Sequence, residues 1–407
     1  MDFTISPELD KLRLRVRDFI AGEVLPLEDN KDNFNEFENI RLSLLTSMRE
    51  KARKEGLWAP QMPKERGGLG LGVAEWAVFY EEAARSIFGP VILNCQAPDD
   101  GNMSVLNKVL ASEDMKDKWL QPIIDGDVRS SFVMTEPAPG SGSDPGGMML
   151  TRAECKNDRY VISGRKWYIS GAAVASHFIL MARTSDDPRN GLSAFLFHKD
   201  DPGWRIVRRI SNMGPDEHGG VCELEFDGLE IPMANRLMEE GDGLRLTQMR
   251  LGPARLTHCM RWLGMAKRCM EIADEYVSNR EAFGSKLIEH ESIQMMLGDV
   301  AADIQTGKLL TMHAAWLIDQ GDRAQKDVSM AKIHVADTLH NAADTALQLL
   351  GAKGYSNDTV IEWIYRYARC ARLVDGASEV HKMVLSRHYR NRGNGFWDWP
   401  VNETGNS

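Results

Sequence analysis

The residues best suited to chemistry in this chain sit at breaks in otherwise regular patterns. Asp375 lies in Arg372-Leu373-Val374-Asp375-Gly376-Ala377-Ser378-Glu379-Val380-His381, just after one predicted helix and just before another. A carboxylate at such a break, beside a glycine, can project into a pocket as a general base while the flanking helices hold its position. Asp-Gly also commonly caps a following helix, and the residues alone leave both roles open. A second candidate, Gly140-Ser141-Gly142-Ser143-Asp144-Pro145-Gly146, superficially matches a dinucleotide-binding loop. That fingerprint needs a preceding strand, a following helix and a third glycine. Pro145 occupies the third position and β-rich segments follow, so the dinucleotide reading is rejected.

The elements that must position these residues fall into three blocks. Ser6-Pro7-Glu8 is a helix start: a capping hydroxyl, Pro at the first helical position and an acid in the first turn. Leu9, Leu12, Val16, Phe19 and Ile20 then recur at helical spacing until Pro26. Further helical patterns cover 36–55 and 73–86, with a glycine-rich loop at 62–70 between them, so 1–127 reads as an α-helical domain. From Val128 the character changes. Tyr160–Ser163, Lys166–Ile169, His177–Ala182, Leu192–Phe197, Trp204–Arg208 and Val221–Phe226 are short and β-rich, with Asn157-Asp158 as a hairpin turn. Regular spacing of such strands implies a β barrel or sandwich over 128–240. Long amphipathic helices return over 241–391, jointed near Gly284, Gly321 and Gly351–Gly354. The tail, 392–407, reads as irregular. Helix, then β, then helix is an α+β multidomain chain, distinct from the alternation of a doubly wound α/β fold.

Composition sets outer bounds. A chain of 407 residues is long enough for two or three domains, and 43% hydrophobic with 27% charged residues is ordinary for a globular protein. A net charge of −10 argues against bulk nucleic-acid binding while leaving room for an anionic ligand held by local Arg and Lys. Cys95, Cys155, Cys222, Cys259, Cys269 and Cys370 show no CxxC spacing, which speaks against a zinc site or disulfide framework and fits a reducing compartment. The start, Met1-Asp2-Phe3-Thr4, has neither a basic segment nor a long apolar core, and no apolar run approaches the roughly 20 residues of a membrane span. A cytoplasmic protein without a secretory signal is the expectation.

Five motifs in order resemble the acyl-CoA dehydrogenase family of flavoproteins across nearly the whole chain. They are Phe132-Val133-Met134-Thr135-Glu136-Pro137 with Gly142-Ser143-Asp144; Gly164-Arg165-Lys166-Trp167-Tyr168-Ile169-Ser170-Gly171; Asn279-Arg280-Glu281-Ala282-Phe283-Gly284; Gln348-Leu349-Leu350-Gly351-Ala352-Lys353-Gly354-Tyr355; and Asp375-Gly376. Asp375 stands where the family usually has Glu, and with Cys95-Gln96-Ala97-Pro98-Asp99 it is similar to the subgroup of kinase-fused acyl-CoA dehydrogenases of animals. The resemblance implies a middle β barrel, a C-terminal four-helix bundle and FAD at their junction. It implies flavin contacts from Phe132, Met134 and Thr135, with Tyr168 packing on the ring and Ser170 near N5. Arg280, Phe283, Gln348 and Gly351 match the region that binds the FAD diphosphate and adenine of a neighbouring subunit, implying a tetramer or dimer. Arg suits a diphosphate because its planar fork donates several hydrogen bonds.

The implied reaction removes the α proton of an acyl-CoA thioester and passes the β hydrogen to flavin N5 as hydride, giving the 2-enoyl-CoA. Asp375 is the implied base, with Gly376, Arg255 and Ser143 at the substrate and CoA. Burial against flavin and acyl chain is expected to raise the base's pKa once substrate excludes water. The other base position used in the family corresponds to Ala254, which cannot take a proton. Asp99, beside Asp100, is a candidate for the far end of the acyl pocket, where it would favour a hydroxylated tail; a plain turn fits Pro-Asp-Asp-Gly equally. The family also implies fatty acid β-oxidation with an electron-transfer flavoprotein as acceptor. Two departures stand out: Glu291 where many relatives have Gln, and Ala377 where a Thr is common. Two rivals remain on the same scaffold: a nitroalkane-oxidase-like flavoprotein that uses an Asp base without CoA, and a non-catalytic FAD-binding scaffold.

Overall fold

A computed structural model describes residues 3–142, 144–216 and 219–398. The N-terminal part is helical: α1 (Pro7–Phe19), α2 (Leu42–Lys54), α3 (Val73–Ala83), α4 (Gly89–Ile92), α5 (Asp99–Val109), α6 (Glu113–Trp119) and α7 (Gln121–Ile124). Ser6 caps α1, its hydroxyl accepting from Leu9 N–H at 3.1 Å, with Pro7 at the first position. Helix α2 begins later than the periodicity of 36–55 predicts. The Asn35 side chain accepts the N–H groups of Phe37 and Asn39 at 2.9 and 3.0 Å, folding that stretch into a turn closed by a Phe34–Ile40 bridge.

The middle part holds β1 (Arg129–Val133), the single turn α8 (Pro145–Met148), β2 (Arg152–Lys156), β3 (Arg159–Ser170), β4 (Ala175–Arg183), β5 (Leu192–His198), β6 (Trp204–Arg209), β7 (Val221–Pro232) and β8 (Arg236–Leu237). They form one sheet in the order β6-β7-β3-β2-β4-β5-β8, with β1 added in parallel to β4. Asn157, at φ 57°, makes the β2–β3 hairpin turn. Tyr160–Ser163 and Lys166–Ile169, separate segments by sequence, are one strand interrupted by a bulge between Lys166 and Ile169. The bulge turns Tyr168 outward at φ 53°. The sheet closes over its own apolar cluster of Val133, Tyr160, Ile162, Phe178, Phe195 and Phe197.

The C-terminal part is α9 (Gly243–Asn279), a short hairpin of β9 (Glu281–Ala282) and β10 (Ser285–Lys286), α10 (Glu291–Asp319), α11 (Gln325–Leu350), α12 (Ala352–Tyr355), α13 (Ile361–Ala368) and α14 (Ser378–Arg392). Helices α9, α10 and α11 pack on each other, α9 and α10 also pack on α3, and one continuous core runs from Val16 through Trp76 and Trp262 to Leu339. The described tail ends in a 3-10 turn, Gly393–Trp397; residues 399–407 lie outside the described residues.

Candidate active site

One face of α9 builds the site. Arg250, Ala254 with Arg255, Thr257 with His258, and Arg261 recur every three to four residues and so share a side of the helix. The loop joining α13 to α14 comes down on this face. Its residues Asp375 and Gly376 both have positive φ, 50° and 97°. Asp enters that conformation more easily than most side chains, and Gly376 is required there twice over. A Cβ at Gly376 would also stand 3.2 Å from His381 Nε2 and 3.6 Å from Arg255 Nη2. Two cations hold the loop by its carbonyls: Arg255 Nε donates to Asp375 O at 2.8 Å, and Lys332 Nζ, from α11, donates to Gly376 O at 2.8 Å. The N-cap of α14 is Ala377 and makes no side-chain cap. Asp375 is therefore no helix cap.

The Asp375 side chain, 23% exposed, lies with Oδ2 3.3 Å from His258 Nε2. Burial works to raise its pKa, but the His258 contact and the charges of Arg250 and Arg255 outweigh it. The net effect holds the carboxyl well below the usual carboxylate range, so Asp375 is an ionised carboxylate. Burial pushes Lys332, Arg250 and Arg255 down, each opposed by the negative charge of Asp375. His381 is pushed down to about 4, first by burial and then by Arg255 and Lys332. Three basic side chains thus surround one acid.

Arg250, His258 and Lys332 were not singled out from sequence. Arg250 is buried, donates from Nε to Asn102 Oδ1 at 2.9 Å, and lies 4.4 Å over the Phe132 ring. That contact joins the acid's surroundings to β1, the strand that also leads to Met134 and Thr135. A sequence signal did exist: cationic residues at helical spacing on an otherwise apolar helix.

Asp99 does not offer a carboxylate to a pocket. Its Oδ1 accepts from the Ser130 N–H and hydroxyl, both at 2.7 Å, and its other oxygen pairs with Arg129. Asp100 is engaged as fully, by Arg261 at 2.6 Å and Thr257 at 2.8 Å. Nor is Pro-Asp-Asp-Gly a free turn: Asp99 and Asp100 open α5 and pin it to β1 and α9. Both readings of Asp99 give way to a structural one.

On the β side, Met134 O accepts from Lys166 Nζ at 2.8 Å, and Thr135 O accepts from Trp167 N–H at 2.9 Å. The Ser170 carbonyl accepts from the Ser131 hydroxyl at 2.8 Å. These bonds set Thr135, two residues past the end of β1, beside the segment of β3 that carries Tyr168 and Ser170. Ser143 lies outside the described residues. Arg280, Phe283, Gln348 and Gly351 are exposed. Arg255 and Arg280 are 25 residues apart along α9 and its cap, about 37 Å at 1.5 Å per residue.

The large aromatic surfaces of Tyr168, 51% exposed at φ 53°, and Phe283, 97% exposed at φ 55°, suit a flat ring system. Exposed Arg280 beside Phe283 suits a diphosphate. A helical–β–helical chain that offers a flavin such surfaces, and sets an ionised acid among cations, has the features of a flavin-dependent dehydrogenase. Three family models match in sequence: the N-terminal domain of acyl-CoA dehydrogenase over 6–127, the middle domain over 131–229 and the C-terminal domain over 241–389. FadE2 of Mycobacterium tuberculosis is 36% identical over 398 residues, covering 95% of this chain and 96% of that protein. Acyl-CoA dehydrogenase family member 11 of Gallus gallus is 34% identical over 95% of this chain, which spans only 51% of that longer protein. Among solved structures, an acyl-CoA dehydrogenase-like protein of Mycobacterium abscessus superposes with TM-score 0.88 at 34% identity, covering 96% of this chain and 100% of that one. A glutaryl-coenzyme A dehydrogenase with bound glutaryl-CoA gives TM-score 0.84 at 29% identity, covering 96% and 97%. The chain belongs to the acyl-CoA dehydrogenase family, and is accordingly an FAD-dependent oxidoreductase acting on acyl-CoA.

Proposed function

We propose that the protein catalyses α,β-dehydrogenation of an acyl-CoA thioester with Asp375 as base. The observation that supports this is the setting of Asp375: an ionised carboxylate on a loop clamped by Arg255 and Lys332, with Oδ2 engaged by His258. Bound FAD supplies the acceptor for the β hydrogen. Asp375 takes the α proton, and the positive charges of Arg250, Arg255 and Lys332 offset negative charge that develops at the substrate. In this reading the backbone N–H at Asp375 and Gly376 polarises the thioester carbonyl as the α proton leaves. Ala254, at the other base position, is a buried methyl that leaves the role to Asp375.

Phe132, Met134, Thr135, Tyr168 and Ser170 take the flavin of their own chain in this reading. Arg280, Phe283, Gln348 and Gly351 serve that of a second copy, which makes the working form a dimer or tetramer. Ser143 serves the CoA arm. The electron acceptor is an electron-transfer flavoprotein, the setting fatty acid β-oxidation, and the compartment cytoplasmic. Among the described residues no helix is long and apolar enough to cross a membrane.

The test is an anaerobic titration of the yellow protein with butyryl-, octanoyl-, palmitoyl-, 4-hydroxyacyl- and glutaryl-CoA, followed by flavin absorbance. Bleaching by one of them supports the reading. Bleaching by nitroethane and by no acyl-CoA would replace it with CoA-independent oxidation.

A further inference from the structure

No step has yet been assigned to His258, yet among the described residues it is the side chain paired with the Asp375 carboxylate. Its surroundings fix how. On one side Nε2 lies 3.3 Å from Asp375 Oδ2. On the other, Nδ1 lies 3.2 Å from Arg261 Nη2. A guanidinium can only donate, so Nδ1 must accept, and the ring proton therefore sits on Nε2, pointing at Asp375. Arg261 is itself fixed by Asp100, whose Oδ2 also accepts from Thr257. The imidazole plane lies on Trp262, with centroids 5.2 Å apart and planes 26° from parallel. A buried relay thus runs from α5 through α9 to the loop: Asp100, Arg261, His258, Asp375.

The groups facing this pair come from each packed element. Arg250, Arg255 and Arg261 come from α9, Asp100 from α5, Lys332 from α11 and His381 from α14. Of these, Arg255 and Lys332 bond loop carbonyls and leave the carboxylate alone. Among the described residues no side chain engages Oδ1. One oxygen is tethered and one is open.

We propose that His258 is the positioning residue of the base: its Nε2–H, fixed in that tautomer by Arg261, holds Oδ2 of Asp375 so that Oδ1 is the atom that takes the proton. This rests on the reading of Asp375 as base. A carboxylate one methylene shorter than glutamate has less reach, and small misplacements are costly in proton transfer, so a tether on its far oxygen is what a short base needs.

The test compares wild type, His258→Phe, which keeps the stack on Trp262 but loses the N–H, and His258→Gln, which restores an N–H donor. Asp375→Asn runs in parallel. In His258→Phe, kcat is expected to fall about 10–100-fold with KM within about threefold, as for loss of an orienting hydrogen bond. His258→Gln should recover at least about half of the logarithmic loss in kcat. Crystal structures of ligand-free wild type and His258→Phe give a second readout, expected to show the Asp375 carboxylate rotated or in two conformers in the variant. If His258→Phe does not fold, His258→Asn, too short to reach Oδ2, takes its place in both measurements. An unchanged kcat together with an unmoved carboxylate in His258→Phe would overturn the proposal. Asp375→Asn separates the two failures: if it is inactive while His258→Phe behaves as wild type, only the tether is wrong; if it is active, the base is wrong.

Discussion

Two carboxylates in this molecule, Glu136 in the β domain and Asp375 on the α9 face, share chemistry but differ in how they are met. Glu136 is saturated. It pairs with fully buried Lys166 at 3.0 Å and accepts from Ser141, Leu150 and Thr151 N–H at 3.3, 2.6 and 2.8 Å. Burial alone would raise its pKa; Lys166 and those donors hold it low instead. Asp375 is also held low, yet by the His258 tether on Oδ2 and a surplus of positive charge, and among the described residues no side chain engages Oδ1. Saturation is what a carboxylate that folds the chain needs. An open oxygen in a strong field is what one that accepts a proton needs. A low pKa by itself does not tell the two apart.

Changing each carboxylate to its amide sharpens the contrast, because charge is lost while size is kept. Asp375→Asn should lower turnover by about a thousandfold, within the range for loss of a general base. Its melting temperature should stay within a few degrees of wild type, read by steady-state rates and calorimetry. Glu136→Gln should do the reverse: a destabilisation of about 3–4 kcal/mol in urea unfolding, because Lys166 is left buried without its partner. Glu136→Gln that stays as stable as wild type would break the comparison.

Asp99 belongs with Glu136 on this account, since both its oxygens are engaged. Asp99→Asn should cost about 2–3 kcal/mol in the same unfolding assay, from the weakened Arg129 pair. The order of preference among acyl-CoAs should be unchanged; a switch in that order would return Asp99 to the substrate pocket.

Glu28 is a third kind, buried and, among the described residues, in no ion pair. Ser86 Oγ and Ile87 N–H donate to Oε1 at 2.6 and 2.9 Å, while Oε2 has no hydrogen-bond partner. Burial pushes its carboxyl up to about 7 from 4.5. A raised carboxyl pKa means the fold prefers the protonated form. Its contribution is therefore intact below the unfolded value of 4.5 and is lost as pH rises through about 7. Glu28→Gln should be nearly neutral at pH 5 and stabilising by about 2 kcal/mol at pH 8, by urea unfolding at both. Equal effects at the two pH values would contradict it.

The sequence exposed the architecture because its signals are local: helical periodicity in α1 and α3, turn residues at Asn157, and short β-rich runs from Tyr160 to Phe226. It misjudged 36–55, where an Asn side chain outbids the helix for backbone N–H groups, and it split β3, whose bulge reads as a gap. Asp375 was legible because it interrupts a helical pattern next to glycine. Its partners were not, since Arg250, His258 and Lys332 lie 43 to 125 positions away in the chain and meet it only in the folded state. The surroundings of Asp99 were illegible for the same reason: whether an acid is free depends on Arg129 and Ser130, whose pairing with it no local pattern encodes.

The most direct test of the central claim follows the proton itself. An acyl-CoA that bleaches the flavin is prepared with deuterium at the α carbon and incubated anaerobically in ordinary water with wild type or Asp375→Asn, and label loss is followed by mass spectrometry. Wild type should release the label at the rate of bleaching, and Asp375→Asn should slow both by about a thousandfold. Label loss in Asp375→Asn at the wild-type rate would show that another group takes the proton.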